Sequence, residues 1–418
     1  MNDSITYVGL DAHKKEHRIA VFFPGRDTPE ELAISNTRKE IDAWLRRLGR
    51  KVPGEIVVAY EAGVCGFALQ RQIQRPGVEC QVIAPSLMPI QPGQRIHTDR
   101  RDAASIGKNL RSGLLTRVHP PNVEQEAARD LCRCREVAVE DLRRVRHQVL
   151  KFLLRRGVYF REGNHWTVRH VAWLGAVRLE DVLEQEVLTN YLLELEHRQQ
   201  RLAHLEKRVQ EVAAQEPYRQ KVGWLRCLQG IDTVTALSLL TELYAFERFT
   251  SPRELMSFLG LVPSEDSSGQ TIRKGPITKA GNRRVRRLLI EASWHQRQRA
   301  TASGKLKARR KGQPDWAVAI AQRAQERLYR RYWRLSSKGK PSNKVVTAVA
   351  RELAGWVWAM LQGGRLGPPR QPPLNAEAAP GAPARRRPPL GQARGDDPRH
   401  KASRAEPVTG HDGKNPTA

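Results

Sequence analysis

The sequence predicts an α/β N-terminal region, a helical middle that reads as a coiled coil, a mainly helical C-terminal region, and a disordered tail. Three observations carry this expectation. Short apolar runs alternate with amphipathic stretches over the first hundred residues, apolar residues recur at three-and-four spacing from about residue 101 onward, and the composition changes near residue 363. With 418 residues the chain is too long for one ordinary domain. The expected boundaries are 1–150, 151–220, 221–362 and 363–418.

Taken in order, residues 5–10 and 17–23 are β-branched or aromatic runs around AHKKE, as expected of a hairpin-like strand pair. Thr37 with Glu40 has the spacing of a capping box, Ile41, Trp44, Leu45 and Leu48 form an apolar stripe, and Gly49 is the expected stop of that helix. The run 55–60 (EIVVAY) is almost continuously apolar, as in a strand covered on both faces. A helix over 62–73 and a strand over 78–84 should follow.

In the middle region, Leu188, Leu192, Leu195, Leu202, Leu205, Val209 and Val212 lie on one helical stripe in a run of over thirty residues without Gly or Pro. Two readings stand: a coiled coil that pairs chains, or one amphipathic helix on a bundle. Residues 224–243 have the helix–turn–helix pattern of a helix-hairpin-helix or of an ordinary core hairpin. A Ser- and Gly-rich loop comes next, then basic helices, and residues 345–361 form a last apolar helix. The final 56 residues hold eleven of the 26 prolines and almost no large apolar side chains, so they cannot offset their ordering entropy.

Charge narrows the partners. Lys plus Arg is 72 against 44 Asp plus Glu, a net of +28. Residues 269–345 alone carry 22 basic residues against Glu291, Asp315 and Glu326, a net of +19. Nucleic acid is the expected partner of such an excess. No apolar run is long enough to span a membrane, and five cysteines without a C-x-x-C exclude a disulfide scaffold or zinc ribbon. The N-terminus has no secretory pattern, so a reduced, cytoplasmic setting is expected, nucleoid-associated when bound to DNA.

The informative acids are few. Asp11 closes the first strand in YVGLDAH, Glu61 closes the central strand in VVAYEAG, and Asp99 and Asp102 stand three apart in HTDRRDAA. Strand ends on one edge of an α/β sheet are where such folds place their sites. Four carboxylates meeting there would repel one another unless cations bind, and two Mg²⁺ ions about 4 Å apart would neutralise them and polarise a phosphodiester. Taken singly, each acid is equally well a turn residue or a cap, with Asp99 as the N-cap of the helix that follows.

Together these segments resemble the DEDD-type transposases of bacterial insertion sequences, in the family numbered one hundred and ten. YVGLDAHKKEHRIAVF, AYEAG, TDRRDAA, LQGIDTVTALSLLTEL and FLGLVPSEDSSGQTIRKGPITKAGNRRVRRLLIEASW carry the resemblance, in the family's order, over roughly residues 5–362. It implies an RNase H-like (RuvC-like) N-terminal domain whose metal-binding acids are Asp11, Glu61, Asp99 and Asp102. It also implies a C-terminal transposase domain with a serine before Gly, here Ser268, with Ser267 as the neighbouring option. Such recombinases act on double-stranded DNA, guided by an RNA from the element's own non-coding end. His97 stands where the family more often has Lys, Asp232 follows Gly230-Ile231 where Gly is common, and the tail after 363 has no counterpart.

The physical reading of the serine loop agrees with this. Serine is a poor nucleophile without a base or a metal, and no Ser-His-Asp order lies near Ser268. Arg273, Lys274, Lys279, Arg283 and Arg284 flank it and suit a phosphate, and Gly269, Gly275 and Gly281 would let backbone amides approach one. The other reading is a DNA-contact loop without catalysis. Arg327, Arg330 and Arg331 lie on a basic helix expected to touch phosphates, with Tyr329, Tyr332 and Trp333 able either to stack on unpaired bases or to pack in the core. The expected function is a recombinase acting as a dimer, with a higher-order complex on nucleic acid. A metal-dependent junction nuclease using water is the alternative.

Overall fold

A computed structural model describes residues 5–52, 54–89, 98–268, 271, 273–299, 301 and 303–363. The expectations for the tail, His97 and Gly269 fall outside these residues.

The N-terminal region is a six-stranded mixed sheet. Its strands are β1 (Thr6–Ala12), β2 (Glu16–Phe22), β3 (Glu30–Ser35), β4 (Ile56–Glu61), β5 (Glu79–Ile83) and β6 (Arg117–Val118), in the order β3-β2-β1-β4-β5-β6. β1, β2 and β3 form an antiparallel meander, while β4 runs parallel to both β1 and β5. Alternation decides the two faces. Val8, Leu10, Val58 and Tyr60 meet α1 (Arg38–Lys51) and α2 (Ala68–Gln74) on one side. Val57, Ala59 and Ile83 meet Ile106 and Leu110 of α3 (Asp99–Arg111) on the other. A sheet of this order with helices on both faces fits the RNase H-like expectation.

Two boundaries differ from the expectation. Gly49 does not stop α1, which runs to Lys51 with Val52 as C-cap. Glycine there faces open space, and Pro53 just beyond is the better stop because it disfavours helix in the residue before it. α2 begins only at Ala68, since Gly66 holds a positive φ of 57° in the turn before it.

α4 (Val123–Leu154) and α6 (Val182–Ala213), with α5 (Val168–Ala176) between them, form an antiparallel hairpin. Ion pairs set the direction: Arg156 to Glu184 at 2.9 Å, Arg201 to Asp141 at 3.1 Å, and Arg135 to Glu206. Leu188 and Leu195 are buried against Val145, Val149 and Phe152 of the same chain. The α6 stripe is therefore covered at those positions by α4 and does not supply an open seam for a second chain there. The exposed apolar residues of α6 are Val182, Leu183, Val187 and Leu193.

The C-terminal region comprises α7 (Arg219–Leu225), α8 (Thr233–Leu243), α9 (Pro252–Phe258), the β7 (Pro263–Glu265)–β8 (Lys274–Ile277) hairpin, α10 (Arg283–Ser293), α11 (Gly304–Arg310), α12 (Asp315–Ser336) and α13 (Ser342–Leu361). It closes around α13, twelve of whose twenty residues are buried and apolar. The first turns of α4 reach the sheet through Arg71–Glu126 at 2.6 Å, and Cys132 on the same helix enters the C-terminal core.

Candidate active site and nucleic-acid interface

β1 and β4 are neighbouring parallel strands in which Leu10 pairs with Tyr60, so Asp11 and Glu61 leave the same edge of the sheet side by side. α3 delivers the other two acids. Thr98, not Asp99, is its N-cap, accepting from the Arg101 amide at 3.4 Å. Asp99 and Asp102 thus both sit in the first turn, where the helix dipole favours negative charge.

α3 can lie this close to β1 because Gly9 faces Gly107. A Cβ on Gly9 would stand 2.0 Å from the Ala103 carbonyl oxygen and 2.3 Å from the Gly107 nitrogen. That close approach draws the start of α3 over the end of β1.

Asp11 feels the charges of Asp99 and Asp102, and Glu61 those of Asp11 and Asp102. Burial raises the Asp11 carboxyl above its usual range; His13 opposes this, and Asp99 and Asp102 add to it. Burial also raises Glu61, with further repulsion from Asp11 and Asp102. These four carboxylates, three of them partly buried, are hard oxygen donors, and that donor set fits a divalent cation. Sequence reasoning missed His13. Its Nε2 lies 3.0 Å from Asp11 Oδ2 and 3.5 Å from Asp99 Oδ2, and one donor atom from each of the three side chains falls within 4.8 Å of the others.

The serine loop is the tip of the β7–β8 hairpin. Ser268 and Thr271 exchange backbone hydrogen bonds of 3.2 and 3.0 Å across it. The Ser267 hydroxyl is engaged inside the hairpin, donating to Glu265 Oε1 at 3.0 Å and accepting from the Arg273 amide at 3.2 Å. Among the described residues, the Ser268 side chain has no hydrogen-bond partner, and the residue is exposed.

The feet of the hairpin are fixed from below. Arg286, buried on α10, donates from one Nη1 to the carbonyls of Leu259 and Ala280, each at 2.8 Å. Gly281 has a φ of 65°, and a Cβ there would be 1.8 Å from the Phe258 carbonyl oxygen. A Cβ on Gly275 would meet the Ser264 hydroxyl at 2.4 Å. Packing therefore requires glycine at 281, whereas at 275 the near atom is a side-chain hydroxyl that can rotate away. Gly230, in the turn before α8, is likewise pressed against the Ala292 carbonyl at the end of α10.

Some of the basic residues are held by acids. Arg284 and Arg287 pair with Glu136 on α4, Arg327 and Arg331 with Glu352 on α13, and Arg330 with Glu326 at 3.5 Å. Four of these five arginines thus pair with acids outside the basic segment, which the local count of acids could not show. Arg310 is buried, bonding the Cys227 carbonyl and Gln325. Arg273, Lys274, Lys279 and Arg283 have no ion-pair partner among the described residues. Tyr332 is in the core, whereas Trp333 is 48% exposed.

The chain is similar to known proteins along most of its length. A DEDD transposase profile of the IS110 type matches residues 8–156, and a profile of the transposase IS116/IS110/IS902 family matches residues 224–309. The chain is 40% identical over 363 residues to a Sinorhizobium fredii protein named as transposase y4qE, covering 86% of this chain and 89% of that one. It is 34% identical over 347 residues to the transposase for insertion sequence element IS1533 of Leptospira borgpetersenii, covering 80% of this chain and 97% of the relative. The transposase for insertion sequence element IS1111A of Coxiella burnetii is 25% identical over 303 residues, 67% of this chain and 82% of its own. Among the described residues, no helix is long and apolar enough to cross a membrane. With both halves matched and relatives aligned over most of its length, the chain belongs to the IS110 family of insertion-sequence transposases, enzymes that cleave DNA and transfer its strands.

Proposed function

We propose that this transposase cuts and rejoins double-stranded DNA through a two-part site: Asp11, Glu61, Asp99 and Asp102 hold divalent metal, two Mg²⁺ ions, and Ser268 is the nucleophile. The observation that supports it best is the meeting of four acids, drawn from β1, β4 and α3, at one edge of the sheet. The metal would supply charge neutralisation and polarisation of the phosphate. The protein's own part is to hold the acids against their repulsion and to present the serine. The Ser268 oxygen bonds to phosphorus, the bond to a deoxyribose oxygen breaks, the serine proton passes to solvent or a carboxylate, and the leaving oxygen takes up a proton. The phosphoserine conserves the bond energy, so a second DNA hydroxyl can displace the serine and complete the exchange. Ser268 is preferred over Ser267 because the latter is tied into the hairpin at both its donor and its acceptor side.

Arg273, Lys274, Lys279 and Arg283 flank this serine and would steady the phosphate. Trp333, exposed beside Tyr329, offers a stacking face for unpaired bases of an element-encoded guide RNA. The exposed Val182, Leu183 and Val187 at the start of α6 are candidate contacts for a homodimer that enlarges on nucleic acid in the cytoplasm, at the nucleoid. The test traps the reaction under denaturing conditions and maps any peptide joined to DNA. An adduct on Ser268, lost in Ser268→Ala, is expected. Normal cutting by Ser268→Ala with no adduct would instead mean hydrolysis by water.

A further inference from the structure

We propose that His13 is a nitrogen ligand of the acid site and that it inclines the site towards Mn²⁺ over Mg²⁺. This rests on the reading of that site as a metal site and names a preference that four carboxylates alone would not give.

The geometry is the first support. Metal–donor bonds of about 2.1 Å put neighbouring donors about 3.0 Å apart in an octahedral shell. The separations of His13 Nε2 from Asp11 Oδ2 and Asp99 Oδ2 are 3.0 and 3.5 Å, near that edge. The three donor atoms all lie within 4.8 Å of one another, so small side-chain rotations bring them onto one ion. The imidazole also joins acids from different elements, since Asp11 is on β1 and Asp99 on α3.

The backbone is the second support, because it fixes the turn without help from the ring. Asn36, just after β3, donates its side-chain amide to the carbonyls of His13 at 3.0 Å and Lys14 at 3.2 Å. Its backbone N–H donates to the Lys15 carbonyl at 2.8 Å. On the other side the Cys65 thiol donates to the Ala12 carbonyl at 3.5 Å. A surface histidine that merely finds a carboxylate needs no such seat. Oxygen-only shells suit Mg²⁺, whereas an imidazole in the shell shifts preference towards transition ions, of which Mn²⁺ still accepts carboxylates readily.

The test uses the full-length protein freed of metal. Mn²⁺ binding is followed by the loss of the free-ion EPR signal, Mg²⁺ competition gives the ratio of affinities, and pulsed EPR reads ¹⁴N modulation from a coordinated imidazole. Wild type should show the modulation. His13→Ala and His13→Gln should both lose it and bind Mn²⁺ about tenfold more weakly, with Mg²⁺ affinity changed by less than about twofold. Because His13 is exposed, both variants should melt as wild type does. Mn²⁺ bound in an Asp11-dependent way without nitrogen modulation, or modulation that persists in His13→Ala, overturns the role of His13 alone. Mn²⁺ binding unaffected by Asp11→Asn and Glu61→Gln overturns the metal reading of the acid site instead.

Discussion

The smallest determinant of the acid site is the absence of a side chain. Gly9 lets α3 touch β1, and a methyl group there meets backbone atoms on both sides of Ala103 and Gly107, which cannot swing away. Gly9→Ala is expected to destabilise the fold by about 1–3 kcal/mol and to move Asp99 and Asp102 away from Asp11. Metal affinity should therefore fall more than in a variant of equal stability mutated elsewhere in the sheet, as checked by calorimetry beside thermal melts. Unchanged affinity would show that the helix start is positioned by something other than this contact. The serine side has its own hidden determinant. Arg286 stands in the basic motif NRRVRR, where sequence makes it one cation among many, yet it is buried and holds both feet of the hairpin. Arg286→Met should abolish the DNA adduct while leaving Mn²⁺ binding at the acid site within about twofold of wild type, since that site lies on the N-terminal sheet and α3. An Arg286→Met protein that forms the adduct normally would reduce this residue to a fold contact.

Between elements, α4 braces the serine-bearing region to the rest. Glu242 on α8 is almost fully buried and bonds Arg133 of α4 at 2.7 and 3.0 Å, and Asn282, the N-cap of α10, at 2.8 Å. Burial alone would raise its carboxyl, but the Arg133 and Asn282 hydrogen bonds and the nearby arginine charges outweigh it and hold the pKa below the ordinary value. A carboxylate held low contributes stability above its unfolded pKa of about 4.3 and loses it as pH falls through the lower folded value. Glu242→Gln should thus cost about 2 kcal/mol near pH 7, allowing for the partly exposed Arg133, and progressively less below about pH 4. Denaturant melts at pH 7 and at pH 3.5 check this, and an equal loss at both would deny the ionic part of the brace. Elements of this kind mark how far the sequence could be read. β1, β2, β4 and α1 were legible because their burial is written as local periodicity. β3 was not, because EELAIS buries only Ile34 at the sheet edge. The α6 stripe was legible as a stripe, but its partner was not, since nothing in the spacing says whether the covering helix belongs to another chain or to residues about forty to fifty positions earlier. The acids were legible from their order along the chain. His13 and Asn36 were not, because their roles depend on a turn closed by residues about twenty positions away.

Across the whole molecule the net charge of +28 remains the dominant fact, and the structure changes which charges can face nucleic acid. Arg286 and Arg310 are buried, and Arg284, Arg287, Arg327, Arg330 and Arg331 are held by Glu136, Glu352 and Glu326. Exposed ion pairs contribute little to folding and can exchange partners, but each exchange gives back what it held. Arg273, Lys274, Lys279 and Arg283 have no ion-pair partner among the described residues and flank the serine in sequence, so they should dominate phosphate contact at the nucleophile. Each phosphate neutralised steepens the fall of log affinity with log salt by about 0.9, and six to ten such contacts lose roughly three to five orders of magnitude between about 50 and 200 mM salt. Wild type should show a slope in that range on duplex DNA. Replacing all four residues with Ala should flatten it by about 3–4, whereas Arg327→Ala with Arg331→Ala should flatten it by less than about 1. Fluorescence anisotropy across a salt series measures both. If the second pair flattens the slope more than the first four do, the nucleic acid lies along α12, and the serine hairpin reaches its phosphate without help from the cations beside it.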